Sequence, residues 1–485
     1  MALESPVEPR GVLDDDRFRR SLDDGRNVWL DGERVKNVAE HPALSGAVAE
    51  LGSLLDLQHD PERADELTVF DERSGKRISR GYQLPRTFDD LRAARRSATT
   101  WMRESWGQHG RSPAFMSSIA VGLHDFHLRL ATQGAQFGEN AVAYHRFAAE
   151  RDLVLTHALG DPQIERGSTP LDDPDLALRI VREDDAGIVV RGAKQLTTLA
   201  PFAHEVLVYL SASFAQRGSE KFVMWFALPM NATGLHVLCR EPFGSEPYGH
   251  AHHFARRFDE QDAMLFFDDV VVPWDRVFLL HDGALANEGL RRINAWSQYI
   301  GQIRYQERLR TLLGVATLLA ESIGVDGFRN IQDELGELAG YVEILGHFLD
   351  AGEATATTTD AGLVAPGPTP AAAIWAAEVA GRAVEIVRNI GQSGILMQPS
   401  EKDLRSPDLR DYLERYMRGK DMDVDRKSRL FRLAWDLTAD SFGQRQDLYE
   451  YVHRGNLTRN RVNLFMKHDQ NEMRERITEL VEGPL

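Results

Sequence analysis

Arg111 is the first side chain that could do chemistry. It lies in Gly110-Arg111-Ser112-Pro113-Ala114-Phe115, so its backbone is held at a turn and its guanidinium projects from a fixed point. A guanidinium so placed can bind a phenolate, a carboxylate or a phosphate. The alternative is a surface ion pair of little energetic weight, with Phe115 as ordinary core. His157 follows the apolar run Leu153-Val154-Leu155-Thr156 and precedes a turn at Gly160-Asp161-Pro162, with Gln163 and Arg166 beyond. An imidazole titrates where proton transfer at neutral pH is easy, although a histidine behind an apolar run is also a common core residue. A third polar stretch is Gly192-Ala193-Lys194-Gln195-Leu196-Thr197-Thr198. His250, His252 and His253 invite a metal reading, with Asp259 and Glu260 near in sequence. No thiolate and no second histidine pair accompany them, so we read a loop or plain surface there and expect no metal site.

The rest of the chain must position these groups. At 485 residues and 42% apolar composition, it can bury a large core and divides into two or three packing units. A formal charge of −17 argues against nucleic acid and anionic membrane as partners, since both require clustered Lys and Arg. The single cysteine, Cys239, excludes an internal disulfide and any multi-cysteine zinc or iron–sulfur site. The N-terminus is acidic, contains proline and has no signal-peptide core. No run reaches the roughly 18 apolar residues of a membrane helix, so a cytoplasmic, soluble protein is expected.

Residues 1–20 are charged and are expected to be poorly ordered until Leu22. Residues 25–35 read as a hairpin turning at Asp31-Gly32. From 41 to 150 the spacing is helical, as in Ala49, Leu51, Leu54, Leu55 and Leu57. From about 174 the period shortens into runs such as Gly187-Ile-Val-Val-Arg, Glu205-Val-Leu-Val-Tyr-Leu and Lys221-Phe-Val-Met-Trp-Phe, which predict an all-β unit. After Pro273-Trp274 helical spacing returns, interrupted at 353–370 by a Thr-, Ala-, Gly- and Pro-rich loop or flexible connector. The expected division is a helical domain over 1–150, a β-barrel domain over 151–275, and a helical bundle over 276–485. Neither a Gly-x-Gly-x-x-Gly nor a P-loop signature is present. A flavin held between helices and a β unit needs neither; there, hydroxyls such as those of Thr197 and Thr198 would meet the isoalloxazine edge.

Several of these pieces recur, in the same order, in one family. Asp24-Gly25-Arg26, Gly32-Glu33-Arg34-Val35, His41-Pro42-Ala43, Gly110-Arg111-Ser112-Pro113 and Leu155-Thr156-His157-Ala158-Leu159 with Pro162-Gln163 and Arg166 lead the series. Gly192-Ala193-Lys194 with Thr198, Arg257-Phe258-Asp259-Glu260, Val272-Pro273-Trp274 and Phe442-Gly443-Gln444-Arg445 with Leu448-Tyr449-Glu450 complete it. The chain resembles the 4-hydroxyphenylacetate 3-monooxygenase family, the large oxygenase component of two-component, reduced-flavin-dependent phenol hydroxylases. The resemblance implies an α+β, acyl-CoA dehydrogenase-like fold and a C-terminal bundle that builds a homotetramer. It implies FADH2 delivered by a separate NAD(P)H-dependent reductase, O2 as co-substrate, and a C4a-hydroperoxyflavin that oxygenates a phenol ortho to its hydroxyl. Carried over residue by residue, Arg111 stabilises the phenolate, and His157 hydrogen-bonds the substrate hydroxyl or helps remove its proton. Phe115 and Ser211 complete the substrate contacts. His157, Ala158, Leu159, Gln163, Ile164, Glu165, Arg166 and Thr198 line the flavin, joined by Ser441, Phe442, Gly443, Gln444 and Arg445, expected from a neighbouring subunit.

One departure bears on the substrate. The phenylacetate hydroxylases carry Tyr four residues after the Arg, whereas this chain has Phe115; the segment from Arg111 to His157 is also longer by about one helical turn. A lost hydroxyl redirects specificity. The expectation is therefore a phenol other than 4-hydroxyphenylacetate: a tyrosine derivative, a halophenol or a secondary-metabolite intermediate, free or tethered to a carrier protein. Two other readings stand beside this one. An acyl-CoA dehydrogenase-like oxidoreductase would need a carboxylate facing the flavin, and a catalytically inactive flavin-binding scaffold would not need Arg111 and His157. A related dehydratase uses an iron–sulfur cluster, which a lone Cys239 cannot build.

Overall fold

Asp31 and Gly32 both take positive φ, 52° and 79°, the backbone that a two-residue hairpin turn requires. They join β1 (Val28–Leu30) to β2 (Glu33–Val35). The computed structural model describes residues 8, 11–165, 167–209, 220–244 and 252–483. Order begins earlier than the charged N-terminus suggests. Asp14 caps a helix over Asp15–Ser21, Phe18 on that helix is fully buried, and Leu13 donates its N–H to Asp152 at 2.9 Å. The helical spacing that follows produces Ser45–Asp56, Phe88–Glu104, Pro113–Asp125 and Ala135–Arg151. It also conceals a second hairpin, β3 (Thr68–Asp71) with β4 (Lys76–Ser79), whose strands are too short for alternation to stand out.

Eight further strands make the middle of the molecule: β5 (Leu155–Ala158), β6 (Arg179–Asp184), β7 (Gly187–Thr198), β8 (Glu205–Val208), β9 (Met224–Pro229), β10 (Leu235–Cys239), β11 (Asp262–Pro273) and β12 (Val277–Leu280). Among the described residues the expected closed barrel is not seen: the strands make two sheets, one ordered β2-β1-β10-β11-β7-β6 and the other β12-β9-β8-β5. Alternation predicts strands, but closure depends on tilt and register, which composition does not encode. The sheets touch at one isolated bridge, Gly160 with Gln195, and pack through Phe226 edge-on to Phe267. Every residue of β5, β8 and β9 is buried, so both faces of this sheet are covered. β1 pairs parallel with β10, which draws the N-terminal hairpin into the middle unit, and β12 carries that unit past residue 275.

Long helices over Gly283–Ile323, Arg329–Ala354 and Pro370–Leu396, with Val424–Thr438 and Ser441–Val452, form the C-terminal part around a second apolar core. The order along the chain is helical, β, helical, as the hydrophobic spacing predicts. The connector at 353–370 is not slack: Leu363 is fully buried, Val364 donates to the Pro85 carbonyl at 2.8 Å, and Thr359 bonds Asp125. Its composition marks the absence of a helix and says nothing of how tightly the segment is tied down. Among the described residues, no helix is long and apolar enough to cross a membrane.

Candidate active site

The helix Pro113–Asp125 starts where its residues dictate. Ser112 caps it by accepting from Phe115 N, and Pro113 occupies the first turn where no N–H is needed. The turn before it is bolted from the far side of the chain. Glu260, fully buried, accepts the Gly110 N–H at 2.9 Å and the Arg111 N–H at 2.5 Å. Burial alone would raise the Glu260 carboxyl; the neighbouring His109, the Arg445 guanidinium and the Arg111 N–H overcome it and hold the group down at about 2. Gly110 permits a close approach no other residue would, since a Cβ there would lie 2.6 Å from the Tyr449 ring. Arg111 Nη1 donates to the Tyr449 hydroxyl at 2.6 Å, and that hydroxyl donates to the Gly110 carbonyl. The Arg111 guanidinium also covers the Phe115 ring at 4.8 Å.

Arg111 differs from the other arginines in this region. Arg445 pairs with Glu260 and Asp262, Arg240 with Asp259 and Asp262, and Arg304 with Glu450. The Arg111 side chain makes no ion pair among the described residues, and its Nε is buried without a hydrogen-bond partner. Arg111 is half-buried, and a partly desolvated cation without a counter-ion favours an anionic ligand.

His157 stands on β5, buried, with the Phe115 ring edge-on to it at 6.2 Å and its Nδ1 2.7 Å from the Tyr209 hydroxyl. Burial, reinforced by the Arg111 charge, lowers its pKa well below that of a free histidine. The imidazole is therefore neutral at physiological pH. The site thus holds one unpaired guanidinium and one neutral imidazole on either side of an aromatic wall.

A second group of residues meets where β7 leaves its sheet. β7 spends one extra residue against β11 between Lys194 and Thr197, and Leu196 in this bulge takes φ +60°. Such a backbone is rare for a branched apolar residue, and strain of this kind gathers at functional sites. The bulge turns the Leu196 side chain outward, 61% exposed, and Ile164 on the loop leaving β5 is equally exposed. Beyond the bulge, Thr198 donates to Asp262 at 2.7 Å and Arg445 closes on the same carboxylate at 2.6 Å. Burial opposes ionisation of Asp262, yet the Arg445 charge keeps its carboxyl below the usual range. Thr156 Oγ1 donates to the Thr198 carbonyl at 2.6 Å, which ties the β5 end of the site to the β7 end. The Thr197 hydroxyl is buried without a partner. Exposed apolar side chains beside an unsatisfied hydroxyl suit a flat heteroaromatic ring such as an isoalloxazine.

The structure gathers Arg111, Phe115 and His157 at one place, and brings Thr198 to Arg445 within one chain. Ala158 is buried in β5 and Leu159 is half-buried, whereas Gln163, Ile164 and Glu165 are exposed on the loop beyond. Ser441 and Gln444 are exposed at the start of their helix, while Phe442 is buried in the C-terminal core. Gly443 abuts the Leu437–Thr438 backbone, where a Cβ would lie 2.6 Å from main-chain atoms. Arg166, Ser211 and His250 fall outside the described residues. His252 sits 3.1 Å from Asp440 and close to Asp436, whose carboxylate accepts the Phe254 and Ala255 N–H groups. The partners of Arg111 and His157 escaped sequence reasoning. Glu260 and Tyr449 lay inside recognisable motifs without a stated role, and Tyr209 carried no sequence signal.

Residues 14–279 match the profile of the 4-hydroxyphenylacetate 3-hydroxylase N-terminal region, and residues 290–482 match that of its C-terminal region. The chain is 35% identical over 459 residues to the 4-hydroxyphenylacetate 3-monooxygenase oxygenase component of Thermus thermophilus, covering 93% of each. A Streptomyces globisporus monooxygenase of (3S)-3-amino-3-(3-chloro-4-hydroxyphenyl)propanoyl-[peptidyl-carrier protein SgcC2] is 30% identical over 471 residues, 94% of this chain and 87% of that one. A crystal structure of the oxygenase component of 4-hydroxyphenylacetate 3-monooxygenase, complexed with FAD and 4-hydroxyphenylacetate, superposes with a TM-score of 0.92 at 33% identity. It covers 97% of this chain and 98% of that chain.

Proposed function

The chain belongs to the 4-hydroxyphenylacetate 3-hydroxylase family, and from that membership and the site's geometry we propose that it is the oxygenase component of a two-component phenol hydroxylase. Reduced FAD comes from a separate NAD(P)H-dependent reductase. One oxygen atom of O2 enters the ring ortho to the phenolic hydroxyl and the other leaves as water, the two electrons coming from the reduced flavin. A cytoplasmic location fits the need for NAD(P)H.

The observation that carries this reading is the unpaired Arg111 guanidinium beside a neutral His157. Arg111 holds the phenolic oxygen as an anion, which raises electron density at the ortho carbon. His157 hydrogen-bonds the same oxygen or helps take its proton. Phe115 walls the ring and excludes water. Bound reduced FAD supplies the activated oxygen. Ala158 at the end of β5 and the loop through Glu165, with Thr198 and the segment Ser441–Arg445, hold the flavin; Glu260 and Asp262 are committed to arginines and backbone N–H groups. Neither of these two carboxylates is free to act as a dehydrogenase base.

Phe115 brings no hydroxyl to the substrate, which favours a phenol other than 4-hydroxyphenylacetate. A carrier-tethered phenol is consistent with the Streptomyces relative. A homotetramer is supported by the terminal helices Leu457–Lys467 and Asn471–Glu482, which bury no residue within the chain yet present Val462, Phe465, Met466, Ile477 and Leu480 to the outside.

Rapid mixing of the anaerobic protein, loaded with reduced FAD, against oxygenated buffer tests the proposal across a panel of phenols. Hydroxylated product formed in proportion to O2 consumed is expected for at least one phenol class. Flavin reoxidation with hydrogen peroxide as the sole product, whatever the phenol, would remove the assignment.

A further inference from the structure

The 2.7 Å contact between the Tyr209 hydroxyl and His157 Nδ1 can be made in two ways. Either Tyr209 donates and the imidazole keeps its proton on Nε2, or Nδ1–H donates and the tyrosine must place its own hydrogen elsewhere. Among the described residues the second arrangement has nowhere to put that hydrogen. The Tyr209 ring is buried against the edge of Trp225, beside an apolar cavity lined by Ile119, Leu123, Leu207, Phe278 and Ile293. An unsatisfied buried O–H costs the full desolvation of a donor. A phenol O–H is also a far stronger acid than a neutral imidazole N–H, and an imidazole nitrogen is the better acceptor. Both arguments select the first arrangement.

We propose that Tyr209 is a positioning residue: its hydroxyl donates to His157 Nδ1, locks the imidazole proton on Nε2, and makes His157 a hydrogen-bond donor to a bound phenolate rather than a base toward a neutral phenol. The tautomer follows from the contact and the acidities of its two groups; its use on a phenol rests on the hydroxylase reading above. Phe115 faces the same imidazole and brings no hydroxyl, so Tyr209 is the sole hydroxyl bonded to His157 among the described residues. Burial and the Arg111 charge keep the ring neutral, which leaves the tautomer as its one remaining variable. With Nε2–H as donor and Arg111 as cation, both groups that meet the substrate oxygen favour its ionised form. The site would therefore select phenols by acidity as well as by shape.

Two measurements separate this proposal from the function beneath it. Long-range proton–nitrogen correlation on protein labelled with 15N-histidine reads the His157 tautomer without substrate or flavin, His157→Gln supplying the assignment. The expected result is a bare Nδ1 and a protonated Nε2, with a mixed or inverted pattern in Tyr209→Phe. A protonated Nδ1 in the wild type, or an unchanged pattern in Tyr209→Phe, would overturn the proposal. The second measurement titrates 4-nitrophenol, whose phenolate is coloured, on the protein loaded with reduced FAD under anaerobic conditions. Tyr209→Phe should shift the ionisation constant of the bound phenol toward the neutral form by about three- to ten-fold, the span of one net hydrogen bond. Phe115→Leu, which removes the aromatic wall but not the tautomer lock, serves as the folded comparison and should leave the tautomer unchanged. A correct tautomer with no binding of any phenol would sink the hydroxylase reading and spare the Tyr209–His157 assignment; binding with an unshifted ionisation constant would do the reverse.

Discussion

The two ends of the site are built on opposite plans. Around Arg111 the groups are held in place from several sides: Glu260 clamps the backbone, Tyr449 aims the guanidinium, and Tyr209 engages His157. Around Ile164 and Leu196 the reverse holds, with apolar side chains left in solvent on a loop and a strained bulge. The difference fits the division of labour proposed for the two ends. Where charge develops during reaction, rigid and pre-oriented groups are worth most because nothing must reorganise. Where a cofactor arrives by diffusion and departs each turnover, a closed surface would obstruct it, and an open apolar rim becomes buried only when the flavin is present.

Breaking the clamp should give the largest effect. Glu260→Gln keeps the shape but presents an amide N–H to Arg445 or to one of the two backbone N–H groups that now share the carboxylate. Removing one partner of a buried ionic network costs roughly 3–5 kcal/mol. The carboxyl is held at about 2 in the folded protein, below its ordinary value of 4.5. Its contribution is therefore complete above the unfolded value and is lost as pH falls toward about 2. Denaturant melts across that acid range should show the wild type losing stability more steeply than Glu260→Gln. Parallel curves would mean that the clamp lends no stability to the Arg111 turn.

A smaller loss, confined to function, sharpens the contrast between the two ends. Arg111→Ala should lower the rate of phenol hydroxylation by roughly 10²–10³-fold, as removal of a pre-oriented charge does, while affinity for reduced FAD changes little. Leu196→Gly should act the opposite way, weakening flavin binding while the phenol ionisation constant stays put, and relieving the strained backbone at the same time. Stopped-flow flavin binding and product yield, measured on both variants, check the pair. Equal losses of both quantities in Arg111→Ala would dissolve the distinction between the ends.

These two ends were also unequally legible in the sequence. Arg111 and His157 announce themselves because turn residues and an apolar run fix their local backbones, and the order of helices and strands follows from hydrophobic spacing alone. The clamp does not announce itself: Glu260 lies 149 residues from Arg111, and no local pattern says that a carboxylate in one turn will accept N–H groups from another. The bulge at Leu196 is silent for a different reason, since a lone leucine among polar residues gives no sign of its backbone until its φ is known. Closure of the sheets is likewise not legible from spacing. Pairing between strands distant in sequence is a tertiary outcome, so β1 joins β10 and the middle unit remains two sheets.

Phe115→Tyr makes the finest test of the comparison, because it adds a hydroxyl to the end of the site where Glu260, Tyr449 and Tyr209 already hold the polar groups in place. The ring is buried between the Arg111 guanidinium and the His157 imidazole. A new hydroxyl there either finds the phenolic oxygen of the substrate or competes with Tyr209 for the imidazole. In the first case, phenols matched to the added bond should gain about 2- to 10-fold in kcat/KM over the others, the worth of one net hydrogen bond of roughly 0.5–1.5 kcal/mol. In the second, all phenols should lose activity together as the tautomer of His157 loosens. A panel of para-substituted phenols of graded acidity distinguishes the two, since a specificity change reorders the panel and a loosened tautomer lowers it in proportion to phenol pKa. If neither the order nor the level of the panel moves, position 115 serves only to fill the wall, and the substrate preference of this enzyme must be set elsewhere.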